Sequence, residues 1–310
     1  MLSVVIPYRN EEYLGFTVRR LHETINIPCE IITIDDGSEQ PVNIPPGTTN
    51  IRFNQPIGAQ FARHTGIERA KYETVLVIDA HMNFTDDDWA KKLVNYSQEN
   101  PTHIGCTIMR GLAPGRMAMK DALGRYYGAH IIPFEESLED LSMHHVQTRR
   151  ILVDKWNVTK TCGEVGCVLG GAYFLNRSWY LETLLAPWEE LRGWGYLEAN
   201  ISIPNYLLGG KNVCLDIEVG HMFRQVTPFQ TKVANILYNE LLLAYVVIPD
   251  KKEREALIDR LQLPDDEITR DVFRMLDQSI AKWYRRYLVD KGQHTWTDYK
   301  AEWMNPDRVY

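Results

Sequence analysis

The chain lacks any apolar run approaching the ~20 residues that cross a bilayer as a helix, so no membrane span is expected. Cysteine is scarce. The five residues are odd in number and scattered, with Cys162 and Cys167 separated by four residues, which is neither a disulfide framework nor a usual zinc-knuckle spacing. Reduced thiols are the expectation. The N-terminus, MLSVVIPYRNEE, has no basic region or cleavage site of a signal peptide and opens directly into a strand-like stretch, which points to a cytoplasmic protein. A basic excess is missing too: 34 Lys and Arg face 41 Asp and Glu, a net charge of −7. That excludes a broadly basic nucleic-acid-binding surface and leaves room only for a local patch. Residues 251–310 carry 12 charges of each sign, so the first 250 residues hold the whole acidic excess. There are no internal repeats or low-complexity tracts.

What the 310 residues do contain is an ordinary globular composition, 24% charged and 45% hydrophobic, enough for one large domain or a domain with an appendage. LSVVIP (2–7) reads as a strand, followed by a helix over 11–26 with Leu14, Val18, Leu21 and Ile25 on one face. EIITID (30–35) reads as a second strand ending in the turn-forming Asp35-Asp36-Gly37-Ser38. A short strand at 51–53, a helix over 57–70 and a strand over 74–79 come next. Thr85 and Asp88 form a capping-box pattern before WAKKLVNYSQ. Asp86-Asp87-Asp88 could suggest a metal site, but carboxylates in a helix's first turn are favoured by its dipole. IGCTIM (104–109), VLGGAYFL (168–175) and NVCLDI (212–217) read as further strands, 110–160 is less regular, and the pattern from 231 onward is helical. Alternating β and α elements predict an α/β fold with a mostly parallel sheet flanked by helices.

The stretch VLVIDAHMNF (75–84) is the first to suggest chemistry. Val75–Ile78 is a short β-branched run suited to a buried parallel strand, and Asp79 and His81, two apart, can project together beyond its carboxyl end, where open α/β sheets bind ligands. A carboxylate and an imidazole suit a divalent first-row cation whose remaining oxygens come from a diphosphate. In VGHMFRQVTPF (219–229), His221 and Arg224 fall in a loop after a strand. The Gly pair in LGGAYFL permits close backbone approach, and in GWGYLEANIS (193–202) Glu198 sits near a helix start.

Taken in order, VVIPYRNEE, EIITIDDGS, GAQFARHTGIERA, VLVIDAH, LGGAYFL, GWGYLEANIS and GHMFRQVTPF resemble the GT-A fold glycosyltransferases that use nucleotide sugars. They are most similar to the catalytic domain of the polypeptide N-acetylgalactosaminyltransferases and to the broad glycosyltransferase family 2. The resemblance covers about residues 3–240. It implies a Rossmann-like GT-A catalytic domain over 1–230 with a helical extension over 231–310 packed on it. It implies that Asp79, His81 and His221 hold Mn²⁺ or Mg²⁺, and that Asp36 with Pro7, Tyr8 and Arg9 forms the nucleoside pocket for a UDP-sugar. Arg63 would approach the donor, Gly171 and Glu198 would hold the sugar hydroxyls, and Arg224 and Phe229 would lie in a loop closing over the donor. Glu198 is also the candidate base if the reaction inverts, and a sugar ligand if it retains configuration. The chain departs from the family where Trp194-Gly195-Tyr196-Leu197-Glu198 stands in place of Trp-Gly-Gly-Glu-Asn, and where Arg9 replaces a histidine. The lectin domain and membrane anchor of the animal enzymes have no counterpart in these residues.

The acceptor is open among a saccharide, a protein hydroxyl and a hydroxymethylated DNA base. AKWYRRYLVDKGQHTWTDYK (281–300) interleaves Lys282, Arg285, Arg286, Lys291 and Lys300 with Trp283, Tyr284, Tyr287, Trp296 and Tyr299, which would suit a polyanion. Phe273, Leu276, Ile280, Tyr284 and Tyr287 also fall on one helical stripe, the pattern of core packing. Two other classes are compatible with a nucleotide-binding α/β sheet. One is a nucleotide-sugar-binding protein without transferase activity. The other is a nucleotidyltransferase, although IPYRNEE lacks the Gly-rich basic phosphate loop expected of it.

Overall fold

The computed structural model describes residues 1–113, 115–137, 148–156, 159–185, 190–224 and 232–304. The first third is a repeating β-α arrangement: β1 (Leu2–Tyr8), α1 (Leu14–Thr24), β2 (Cys29–Asp35), β3 (Thr48–Arg52), α2 (Ala59–Arg69) and β4 (Thr74–Ile78). β1 lies between β2 and β4, parallel to both, and β3 extends the sheet beyond β2 in parallel. Alternate residues of each strand face opposite layers. Val4 and Ile6 join the side chains Leu14, Val18 and Leu21 of α1, while Val5 joins Ala62 and Ile67 of α2. The helix expected over 11–26 begins only at Leu14, because Glu11 is used in a loop.

β5 (Met82–Phe84) follows β4 after a three-residue turn, and α3 (Trp89–Glu99) then covers the same face as α1 through Trp89 and Leu93. The expected capping box is not made. Asp88 is the N-cap but contributes no side-chain cap, and Asp86 instead accepts the Asp88 N–H at 2.9 Å and pairs with Lys92 at 3.2 Å. β6 (Ile104–Leu112) enters the sheet next, and the less regular stretch after it contains β7 (Arg125–Tyr126), β8 (His130–Ile132), β9 (Glu135–Ser137), β10 (Thr148–Arg150), β11 (Val153–Lys155) and β12 (Gly163–Glu164).

β13 (Ala172–Asn176) runs antiparallel between β4 and β6. The expected strand 168–175 thus starts four residues late, after the glycine pair. A π-helical turn over Trp179–Leu184 leads toward α4 (Leu197–Leu207) and β14 (Asn212–Met222). The main sheet order is β12-β14-β6-β13-β4-β1-β2-β3, with β5 paired to β14 and β7 to β6. β14 runs past the expected end at 217, through a bulge between Leu215 and Glu218, so that His221 is a strand residue rather than a loop residue.

Helices α5 (Val233–Val247), α6 (Lys251–Asp259), α7 (Glu267–Gln278), α8 (Ala281–Lys291) and α9 (Trp296–Trp303) complete the chain. Their apolar side chains join the same core as α2 and the sheet face beneath it. The stripe expected on one helix is split between α7 and α8: Ser279 is extended and its hydroxyl donates to Leu276 O at 2.7 Å. No helix among the described residues is long and apolar enough to cross a membrane.

Candidate active site

Four fully buried side chains, Val75 to Ile78, anchor β4, each contributing about 1.5–3 kcal/mol by leaving water. The chain then turns back into β5, and two contacts shape that turn. Asp79 N–H donates to Gly171 O at 2.9 Å. The hydroxyl of Thr17 on α1 accepts from Met82 N at 2.9 Å and donates toward Ala80 O and Met82 O, both at 3.0 Å. The pairing His221↔Met82 brings β14 alongside. Asp79, His81 and His221 consequently converge, with one ligand atom of each within 4.8 Å of the others. Among the described residues this is the one His/Cys/Asp/Glu group with such geometry, and the three aspartates at 86–88 are not part of it.

The donor set fits a divalent cation. His81 Nδ1 lies 3.1 Å from Glu11 Oε2. A carboxylate only accepts, so Nδ1 carries the proton and the lone pair sits on Nε2, the arrangement typical of a ligating histidine oriented by a carboxylate. His221 Nε2 lies 3.3 Å from Asp79 Oδ2, and its Nδ1 has no hydrogen-bond partner among the described residues. Burial lowers the pKa of His221 and keeps it in the neutral, ligating form. Burial opposes ionisation of Asp79, but the hydrogen bond from His221 and the nearby charges of Arg63 and His81 outweigh it. They hold the carboxyl well below the usual range.

Cationic groups surround this trio. Arg63 on α2 donates to Asp79 Oδ1 at 2.7 Å and to Gln60 Oε1 at 2.7 Å. Arg224 donates to both oxygens of Glu11. Glu11, 5% exposed, is thus shared by His81 and Arg224, and burial is outweighed by His81 and its other donors, so it stays ionised. Glu11 was visible beforehand only as part of VVIPYRNEE; its position just past the first strand was the available signal.

The expected nucleoside pocket lies at the ends of β1 and β2. Asp36 N–H donates to Tyr8 O at 2.8 Å, and the Asp36 carboxylate accepts from Ile57 N at 2.5 Å and Gly58 N at 3.0 Å. Burial raises its pKa despite those donors and Arg9. The Tyr8 side chain turns into the sheet, with its hydroxyl 3.3 Å from Asn50 Oδ1, leaving only its main chain toward the pocket. Pro7 pairs with Ile34 inside the sheet. Arg9 is half-buried, and its Nε has no hydrogen-bond partner among the described residues.

Gly171 immediately precedes β13, and Glu198 lies in the first turn of α4. A Cβ at Gly171 would lie 2.8 Å from Met109 Cε and 3.3 Å from His221 Cδ2, and one at Gly170 would lie 2.5 Å from Glu198 Oε1. A side chain at either glycine would therefore displace the ends of Met109 or Glu198. Burial, then the charge of Asp154, pushes the Glu198 carboxyl up to about 8. Phe229 lies outside the described residues.

This combination of a curled, mostly parallel sheet, a carboxylate-imidazole group at a strand's carboxyl end and helices on both faces is the GT-A fold. Residues 3–146 match the model of the family described as Glycosyl transferase family 2, a match that covers a little under half of the chain. No curated protein gives a match by sequence. Among solved structures, GalNAc-T7 with UDP, GalNAc and Mn²⁺ superposes with a TM-score of 0.67 at 18% identity, covering 97% of this chain. The chain spans 56% of the length of that GalNAc-T7 chain. S. aureus TarS 1-349 in complex with UDP-GlcNAc superposes with a TM-score of 0.52 at 11% identity, covering 94% of this chain and 88% of TarS 1-349. At these identities the two neighbours establish the shared fold.

Proposed function

We propose that the protein transfers a sugar from a nucleoside-diphosphate sugar, a UDP-sugar, to an acceptor hydroxyl, with Mn²⁺ or Mg²⁺ held by Asp79, His81 and His221. The observation that carries this reading is the convergence of those three ligands with Arg63 and Arg224 at the carboxyl end of β4. UDP with Mn²⁺ in GalNAc-T7 and UDP-GlcNAc in TarS support the choice of nucleotide.

The bound cation supplies Lewis-acid stabilisation of the charge that grows on the departing diphosphate. The chain's own groups do the rest. Arg63 and Arg224 present guanidinium charge on two sides of the trio, fixed beforehand by Asp79 and Glu11, so they need not reorganise as charge develops. The unpartnered Nε–H groups of Arg9, Arg63 and Arg224 are donors available to diphosphate oxygens. Glu11 orients His81 and keeps its Nδ1 protonated. Asp36 holds the Ile57–Gly58 turn and, beside Arg9 and the Tyr8 main chain, borders the uridine site. Burial pushes the Glu198 carboxyl up to about 8, so it can hold a proton and donate a hydrogen bond to a sugar hydroxyl.

For the acceptor, a saccharide or protein hydroxyl is the reading the side chains support. In the 281–300 segment Lys282 pairs with Asp277, Arg285 donates to Tyr245 O, and Lys300 pairs with Glu253; these contacts already engage three of the cations a polyanion would use. The test is UDP release from UDP-GalNAc, UDP-GlcNAc and UDP-glucose with Mn²⁺ and with a chelator, followed by transfer to glycan, peptide and hydroxymethylpyrimidine DNA. Chelator-sensitive release from a UDP-sugar is expected; equal release in chelator would overturn the metal assignment, and no release from any donor would overturn the reaction.

A further inference from the structure

Helix α5 reaches back to the turn that leads into α4, and two adjacent side chains grip that turn. Asn239 is fully buried. Its Oδ1 accepts Arg192 N–H at 2.7 Å, while its Nδ2 donates to Arg192 O at 2.8 Å, Gly195 O at 3.1 Å and Trp194 O at 3.3 Å. Both ends of one amide are therefore spent on the main chain of a single loop. Glu240, 4% exposed, accepts from Ile151 N–H and from the Tyr196 hydroxyl. Arg150 Nε donates to the same hydroxyl at 3.0 Å, and its guanidinium lies 5.1 Å from the centre of the Tyr196 ring.

The gripped turn is not one the chain would adopt by local preference. Gly193, Gly195 and Tyr196 have φ of 58°, 103° and 60°. Glycine is at ease there, but a tyrosine brings its Cβ against a carbonyl oxygen in the left-handed region. A non-glycine residue persists in such a conformation when its surroundings over-determine it, and here the surroundings are Asn239, Glu240 and Arg150. Tyr196 is the N-cap of α4 and Glu198 the second residue of that helix. The Glu198 carboxyl is wedged against Gly170, with Oε1 only 2.5 Å from where a Cβ would stand. A shift in the turn therefore moves Glu198 directly. Core packing alone gives no reason for a buried carboxyl at position 240: burial raises its pKa to about 7, and an apolar side chain would avoid that desolvation.

We propose that Asn239 and Glu240 are positioning residues for the transfer reaction: Asn239 through the main chain of the Arg192–Tyr196 turn and Glu240 through the Tyr196 hydroxyl, they hold that turn in the conformation that presents Glu198 to the donor sugar. This rests on the reading of function given above. It makes α5, in the C-terminal extension, part of the machinery that orders the donor-sugar side of the site, while the metal and nucleotide side is built from β1, β2, α2, β4 and β14.

The experiment compares Asn239→Asp, which keeps the acceptor and removes the three donated bonds, with Tyr196→Phe, which keeps the ring and removes the hydroxyl. Tyr287→Phe is the control, losing a comparable hydroxyl bond to Thr183 O at 2.6 Å. Three quantities are read: UDP affinity by calorimetry with Mn²⁺, turnover as UDP release from the active donor sugar, and hydrogen exchange of the 195–200 amides. Asn239→Asp and Tyr196→Phe should lower kcat about 10- to 100-fold, leave UDP affinity within about twofold, and speed exchange at 195–200. Tyr287→Phe should change none of these. Wild-type kcat in folded Asn239→Asp and Tyr196→Phe, or unchanged exchange in both, overturns the proposal. A wild-type chain that neither binds UDP nor releases it from a donor condemns the reading of function instead, and the exchange comparison then judges the clamp by itself.

Discussion

The carboxyl end of β4 and the α8–α9 segment are both rich in aromatic and cationic side chains, yet they treat their polar atoms in opposite ways. Around Asp79, buried nitrogens are left over: Arg63 Nε and Arg224 Nε are donors with no hydrogen-bond partner among the described residues, and His221 Nδ1 is unpartnered too. In α8 and α9 the hydroxyls of Tyr284 and Tyr287 donate to Leu184 O and Thr183 O, and Trp296 and Lys300 both reach Glu253. A buried donor without an acceptor costs about 1–3 kcal/mol, so a fold tolerates a cluster of them only where something else is to be bound. The comparison teaches that composition alone does not mark a ligand site; unspent donors gathered beside a convergent set of ligand atoms distinguish this one.

The largest effect expected of this contrast is at Asp79, His81 and His221, the proposed metal ligands. Asp79→Ala or His221→Ala should lower turnover by about 10³-fold or more, with the chain still folded by circular dichroism, whereas wild-type enzyme in chelator should fall comparably and recover with Mn²⁺. Turnover surviving in either variant would break the distinction between the two regions.

Glu240 sharpens the comparison, being a costly carboxyl within the otherwise satisfied helical extension. The native carboxyl keeps its proton up to about pH 7, and the unfolded chain releases it near 4.5. Between those values the native state binds more protons, so stability falls as pH rises through the window, by about 1.4 kcal/mol per unit within it. Glu240→Gln cannot ionise and should escape that fall. Urea unfolding of both proteins at about pH 5 and about pH 7 measures the difference; parallel pH dependences would show that Glu240 ionises normally in the fold.

A smaller effect is expected at Glu11, which orients His81 and Arg224 without contacting the cation in this reading. Glu11→Gln should weaken Mn²⁺ activation about 10- to 100-fold, the usual cost of losing a carboxylate that orients a ligand, and saturating Mn²⁺ should restore most of the turnover. An unchanged Mn²⁺ activation curve would remove Glu11 from the site.

The smallest effect belongs to α8. Replacing Lys282, Arg285 and Arg286 with Ser should change stability by a few tenths of a kcal/mol for each exposed charge and about 1 kcal/mol for the Arg285–Tyr245 bond, leaving donor hydrolysis and transfer unaltered. Loss of transfer to hydroxymethylpyrimidine DNA, with a steep salt dependence, would instead give this segment the polyanion role.

Asp79 and His81 were legible as candidates because they follow a buried β-branched strand; the pair alone is a weak signal, and the ordered series of motifs around it made it worth weighing. His221 was legible as a candidate but was placed in a loop, because a bulge at Leu215–Glu218 carries β14 past the point where apolar alternation stops. The capping box at Thr85 and Asp88 failed because Asp86 closes the turn first. The stripe from Phe273 to Tyr287 was correctly apolar, but periodicity does not reveal the break at Ser279. Asn239 and Glu240 carried no signal at all; inside VANILYNELLLAYVV they read as the polar positions of an ordinary helix.

By itself the sequence determined the α/β layering, since alternation in β1 and β4 and the helical faces of α1 and α3 follow from which side chains leave water. It also determined the chemical kind of the trio, a carboxylate with two imidazoles. Only the tertiary structure decided that Glu11 serves both His81 and Arg224, and that α5, separated by more than forty positions from Arg192 and Gly195, holds the turn before Glu198. Those choices depend on hydrogen bonds between segments remote in the chain, and such bonds leave no period or spacing for a linear reading to find.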